Sequence, residues 1–256
     1  MLNRRFFRAL FLAALMSPGA SAWSATTFVA VAANFSKPME EIAAEFQKAT
    51  GHEAKLSFGS SGKFVAQIEN GAPFEVFMAA DQENAVKLQN ARLAVADTRF
   101  TYALGKLVLW SAATGLVDDH GDVLGKGGFK HLALADPKLA PYGAAAIEVL
   151  KHLGLQEKLQ PVLVQGENIS QTYQFISTGN AELGFVALSQ VIDNGKIANG
   201  SGWIVPEGHY APIRQDAILL SKGADNPAAV ALLQFLKGPE ASTIILKYGY
   251  KLPGRT

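Results

Sequence analysis

Two short polar turns carry the residues best placed to do chemistry. Asn34 and Ser36 follow the apolar run 28–32, and Ser60 and Ser61 follow the run 54–58. Each turn stands where a strand-like segment gives way to a helix-like one, so free backbone N–H groups and a positive helix end are aimed at one point. The guest that such a point accepts is an anion. The side chains there are hydroxyls and an amide with little charge, which suits a fully ionised oxyanion that only accepts hydrogen bonds. On spacing alone, the plainer reading is that Asn34, Ser36, Ser60 and Ser61 are ordinary helix caps.

Other chemistries have weaker support. A serine hydrolase is the alternative from another class, because Ser60 or Ser61 after a strand could be a nucleophile. Gly59-Ser60-Ser61-Gly62 does not match the G-x-S-x-G elbow, however, and no histidine stands out as a partner. His52, His120, His131, His152 and His209 lack metal-ligand spacing and read as solvated surface residues. Gly62-Lys63 is similar to the end of a phosphate loop but lacks its glycine spacing, and Phe64 stands where Ser or Thr is needed. Lys63 therefore reads as a solvent-facing helix residue. Turned inward, Lys63 or Arg214 would add charge and weaken the neutral-donor reading.

The scaffold for these turns is α/β, because strand-like and helix-like segments alternate from start to end. Met39, Ile42, Ala43 and Phe46 fall at i, i+3, i+4 and i+7 after Pro38, a helical stripe that stops at Thr50-Gly51. Phe64, Val65 and Ile68 mark a second helix, and 75–79 a third strand with Asp81 placed to cap the helix after it. Residues 102–111 read as one longer strand and 115–128 as surface loop. A second series follows: strand 132–135, helix 143–153, strand 161–164, helix 169–177 and strand 183–186. An extended stretch, 213–220, and helices at about 227–236 and 239–247 close the chain. No repeat of 20–50 residues is visible, so two similar α/β lobes fit better than a solenoid.

Residues 1–25 read as an export signal: Arg4, Arg5 and Arg8 precede the apolar run 9–16, and Pro18-Gly19 and small residues follow. That run is about half the roughly 20 residues a membrane helix needs. Cleavage is expected after Ala22, with Ala25 as the alternative. Asn3-Arg4-Arg5-Phe6-Phe7 also resembles a twin-arginine signal, although ordinary signals carry paired arginines too. The chain has no cysteine, which excludes disulfides, thiolate metal sites, cysteine nucleophiles and a lipid-modified cysteine anchor. An exported chain without that anchor points to a Gram-negative periplasm. The signal holds three of the 23 basic residues and none of the 22 acidic ones, leaving 20 against 22, a net charge of −2. Nothing in that balance attracts nucleic acid.

Val31-Ala32-Ala33-Asn34-Phe35, Phe58-Gly59-Ser60-Ser61-Gly62, Ala72-Pro73 and Phe77-Met78-Ala79-Ala80-Asp81 together resemble the periplasmic molybdate-binding proteins. So do Ala135-Asp136-Pro137, Gly184-Phe185-Val186, Leu236-Lys237-Gly238-Pro239-Glu240-Ala241 and Tyr248-Gly249-Tyr250. The resemblance covers nearly all of the chain beyond the signal, in order. It implies a two-lobed periplasmic binding protein of type II, with lobe one over 26–108, lobe two over 109–215 and a return to lobe one over 216–256. It implies no enzyme and no cofactor: a monomer captures molybdate, and tungstate with it, and delivers it to the membrane permease of an ABC importer. The ligands implied are Asn34 and Ser61 from lobe one, Tyr142 from lobe two, and the backbone N–H at Ile169 where a helix opens. Molybdenum would be met only through its oxygens, with no direct metal ligand.

Two departures from the family pattern matter. Many relatives have serine at the position of Asn34, and many have a tyrosine just after Gly184-Phe185-Val186, where this chain has Ala187. Tyr142 stands where those relatives carry a small residue, so its hydroxyl is expected to supply the missing bond. Donors alone would penalise a protonated oxyanion such as hydrogen phosphate, whose O–H finds no acceptor, although the Asn34 amide also offers a carbonyl. Sulfate or chromate on the same fold is the nearer alternative.

Overall fold

The computed structural model describes residues 24–254, so nearly all of the expected export signal lies outside the described residues. The chain opens with β1 (Thr26–Ala32), α1 (Ser36–Thr50), β2 (Glu53–Gly59), α2 (Ser61–Glu69), β3 (Val76–Met78), α3 (Glu83–Asn90) and β4 (Phe100–Gly105). Helix α1 forms because Met39, Ile42 and Phe46 lie on one fully buried stripe, and it ends where Gly51 takes a φ of 75°. The chain then enters a second sheet through β5 (Leu107–Ser111), α4 (Val123–Lys126), β6 (Leu132–Ala135), α5 (Pro141–His152), α6 (Gln156–Leu159) and β7 (Leu163–Gly166). It continues with α7 (Ile169–Ser177), β8 (Leu183–Ala187), α8 (Leu188–Val191), the small ribbon β9 (Ile192–Asp193) and β10 (Lys196–Ile197), and β11 (Ser201–Ile204). Strand β12 (Ile213–Leu219) rejoins the first sheet, and α9 (Pro227–Phe235) and α10 (Pro239–Lys247) pack back on it.

The strand orders explain where a ligand can sit. The first sheet runs β2-β1-β3-β12-β4, with β1 parallel to both neighbours and β12 antiparallel to β3 and β4. The second runs β11-β5-β8-β6-β7, with β6 parallel to β7 and β8. In each sheet the chain steps to one side of a central parallel strand and then to the other. The carboxyl ends of β1 and β6 are therefore switch points, where loops part and leave a crevice. Register pairs Ala32 with Gly59 and Ala135 with Gly166, so the turns that follow these strands lie side by side.

Four local expectations change. Residues 102–111 are not one strand: the chain changes sheets between Gly105 and Leu107, where a Cβ on Gly105 would lie 2.0 Å from the Tyr142 hydroxyl. Residues 115–128 are more than surface loop, because Val117, Val123 and Leu124 are buried in the second lobe's core and α4 forms there. Strand β7 starts at Leu163, while Pro161, which has no N–H for the ladder, sits in a 3-10 turn. The stretch 188–204, left unassigned by periodicity, holds α8, the ribbon and the edge strand β11.

Candidate oxyanion site

Four helix starts meet at one cavity between the sheets. Its wall is built from Ala32, Ala33 and Asn34 after β1, Gly59, Ser60 and Ser61 after β2, and Ala80 after β3. The facing wall is Ala140, Pro141 and Tyr142 opening α5, with Asn168 and Ile169 opening α7. All four residues expected from the sequence line this cavity, and among the described residues no charged side chain does.

The donors follow from how each helix begins. At α7, Asn168 Oδ1 accepts from the N–H groups of Ser170 and Gln171, which leaves the Ile169 N–H without a partner among the described residues. At α5, Pro141 has no N–H, and Gly143 and Ala144 both bond to the Ala140 carbonyl, so the Tyr142 N–H is free. At α2 the Ser60 side chain makes no capping bond, and Gly62 donates instead to the Leu139 carbonyl of the other lobe at 3.0 Å. The reading of these serines as ordinary caps therefore fails. Ser61 Oγ, almost fully buried, accepts from the Ala80 N–H at 2.9 Å, which leaves its own proton to donate. Ser60 Oγ is buried with no partner among the described residues.

Asn34 plays a different part from a side-chain ligand. Its Nδ2 is taken by Gln215 Oε1 at 2.8 Å and by the Tyr250 hydroxyl at 3.0 Å, so the amide is a strut, and the donor Asn34 can offer is its backbone N–H in the first turn. Tyr142 is 1% exposed, and its hydroxyl accepts from Gln215 Nε2 at 3.2 Å. Burial pushes the Tyr142 and Tyr102 phenols well above their ordinary range and Tyr250 up to about 12, so all three are neutral donors.

Periodicity and turn chemistry missed Ala80, Gln215, Tyr250 and Ser189. One signal was available: Arg214, Gln215 and Asp216 interrupt an apolar strand, only Arg214 of the three is exposed, and buried polar residues need partners. Ala187 adds no donor, since its N–H goes to Gln190 Oε1 at 3.0 Å. Lys63 faces solvent from α2 as expected and does not line the cavity; half-exposed, it also pairs with Glu167 of the other lobe at 2.6 Å. Arg214 is exposed and also lies outside the lining.

The two sheets, the switch points and this cavity are the frame of a solute-binding protein, and the family described as bacterial extracellular solute-binding protein matches residues 28–251. The chain belongs to that family. Among relatives of this solute-binding protein, the molybdate-binding protein ModA of Azotobacter vinelandii is 59% identical over 91% of the chain and 92% of the relative. The ModA of Rhodobacter capsulatus is 54% identical over 93% of each. A solved structure of the Azotobacter vinelandii periplasmic molybdate-binding protein superposes with a TM-score of 0.86 at 45% identity, covering 89% of this chain and 99% of that one. The fold is the two-lobed α/β fold of periplasmic binding proteins. Solute binding, not hydrolysis, is the family's activity, and the serine geometry agrees: the partner of Ser61 is an N–H donor, which cannot act as a base.

Proposed function

We propose that this solute-binding protein captures molybdate in the cleft, takes tungstate in the same way, and delivers the anion to the membrane permease of an ABC importer. One observation carries the reading: four helix N-termini and the Ser61 hydroxyl face a single uncharged cavity. The identities of 59% and 54% to molybdate-binding relatives support the choice of anion. The ligands are the backbone N–H groups of Asn34 and Ile169 and the hydroxyls of Ser61 and Tyr142, converging from both sheets. The first sheet with its helices acts as lobe one and the second as lobe two, with the boundaries expected at 108 and 215 drawn instead at the changes of sheet before Leu107 and Ile213, and the protein works as a monomer in a Gram-negative periplasm after removal of its export signal.

Uncharged donors replace the water shell of a dianion and, the unpartnered Ser60 hydroxyl apart, offer no acceptor to a protonated one, which gives the site its preference. The size of the closed cavity separates molybdate and tungstate from smaller sulfate. Calorimetric titration with molybdate, tungstate, sulfate and phosphate tests the assignment. Nanomolar to micromolar molybdate binding, about −12 to −8 kcal/mol, is expected. Tighter binding of sulfate than of molybdate overturns it.

A further inference from the structure

A hydroxyl can turn either a proton or a lone pair toward its guest, and a fully ionised oxyanion is served only by the proton. For Tyr142 that choice is made by a chain of buried bonds beginning at an atom with no choice, the Asn34 backbone carbonyl. This oxygen accepts from the Tyr250 hydroxyl at 2.8 Å and from Ser189 Oγ at 2.8 Å, and those two hydroxyls lie 3.0 Å apart. When both lone pairs of this carbonyl are filled, the Ser189 and Tyr250 protons both stay within the triangle. The Tyr250 oxygen must then accept from the Asn34 side chain 3.0 Å away, which fixes that atom as Nδ2. The same Nδ2 reaches Gln215 at 2.8 Å, which fixes the atom there as Oε1. The other end of the Gln215 amide is therefore Nε2, and it donates to the Tyr142 hydroxyl at 3.2 Å.

We propose that Gln215, fully buried and outside the cavity lining, is the positioning residue that fills a lone pair of Tyr142 and so turns the Tyr142 proton to the anion, which tunes the pocket against protonated oxyanions. The proposal rests on the reading of Tyr142 as an anion ligand. Because Ser189 and Tyr142 come from the second lobe and Asn34, Tyr250 and Gln215 pack with the first sheet, the chain of bonds is complete only when the lobes meet. The opposite sense of the amide would have Gln215 accept from Tyr142 and would leave a lone pair facing the guest. The ionisable groups that face Gln215 are Tyr102 from β4, Tyr142 from α5 and Tyr250 from the C-terminal tail. Its neighbour Asp216 is engaged by Arg99, Thr101 and Gln82.

The test is molybdate titration of the full chain at about pH 8 and about pH 6 for the wild type, Gln215→Glu, Gln215→Met and Tyr142→Phe. An ionised Gln215→Glu carboxylate accepts from Tyr142 and pulls its proton out of the cavity, so affinity should fall about tenfold or more at the higher pH. Burial raises a carboxyl pKa, so at the lower pH the protonated acid donates as the amide did, and most of the loss should be recovered. Gln215→Met should weaken binding by a smaller factor, equal at both pH values. Wild-type affinity of Gln215→Glu at the higher pH, or a loss that does not change with pH, overturns the proposal. If Gln215→Glu does not fold, wild-type affinity of Gln215→Met overturns it instead. Unchanged affinity in Tyr142→Phe sinks the ligand reading and this proposal together, whereas weakened Tyr142→Phe beside unaffected Gln215→Glu removes Gln215 alone.

Discussion

At the floor of the cleft the lobes are joined by neutral groups: Ser189 Oγ and the Tyr250 hydroxyl meet at the Asn34 carbonyl, and Ser170 Oγ reaches the Ala33 carbonyl at 3.2 Å. At the edges they are joined by charge, through Lys63 with Glu167 and Lys251 with Glu207, whose side chains are about half exposed or more. The difference is where water can reach. A cation at the floor would bind any anion strongly and would not penalise a protonated one for its extra O–H. Dipoles of fixed sense make that distinction, and charge is left where solvent screens it.

Placing charge at the floor breaks this division most severely. Ser61→Asp sets a carboxylate against the guest, and a like pair at about 4 Å costs about 4 kcal/mol at an effective dielectric near 20, roughly double for a dianion. Molybdate affinity should fall at least about a thousandfold in calorimetry, with circular dichroism confirming the fold. Alkali should also weaken the floor. Tyr250 is raised from 10.0 to about 12 in the folded state, so the stability tied to its neutral form is present below about pH 10 and lost as pH rises toward about 12. Urea unfolding across that window should show a loss of roughly 2–3 kcal/mol from this group, absent in Tyr250→Phe. The edge answers to acid instead, since the hydrogen bond from Lys251 holds Glu207 below the usual carboxylate range. Ser61→Ala is milder than either: it removes one donor to a charged guest, about 1–3 kcal/mol, and weakens molybdate roughly 5- to 150-fold in the same titration. Full affinity in that variant would exclude Ser61 from the ligands.

The floor was half legible in the sequence, and the reason is locality. Periodicity located β1, α1, β2 and α2, and with them the turns at Asn34 and Ser61, because each depends on a window of a few residues. What Asn34 does was not legible, because its amide is claimed by Gln215 and Tyr250, 181 and 216 residues away in sequence. The crossing at Gly105 was hidden for a similar reason: both flanking segments are apolar and extended, and the Tyr142 hydroxyl and Gln215 amide that crowd Gly105 come from distant parts of the sequence. The lobe-to-lobe pairing of Lys63 is equally nonlocal, since a lysine one turn into a helix ordinarily faces water.

That pairing supplies the smallest effect. Lys63 and Glu167 meet at 2.6 Å with side chains 48% and 47% exposed, and exposed pairs contribute only about 0.2–1 kcal/mol. Removing Lys63 leaves the donors at Asn34, Ser61, Tyr142 and Ile169 untouched, so Lys63→Ala should weaken molybdate by less than about fivefold at low ionic strength. The effect should shrink toward zero as salt shortens the Debye length to about 8 Å and below. If calorimetry across a salt series instead found a loss as large as that of Ser61→Ala, and unchanged at high salt, Lys63 would be acting on the anion itself. The division between a neutral floor and a charged edge would then be wrong, because a cation would be contributing to recognition from a position where solvent was taken to silence it.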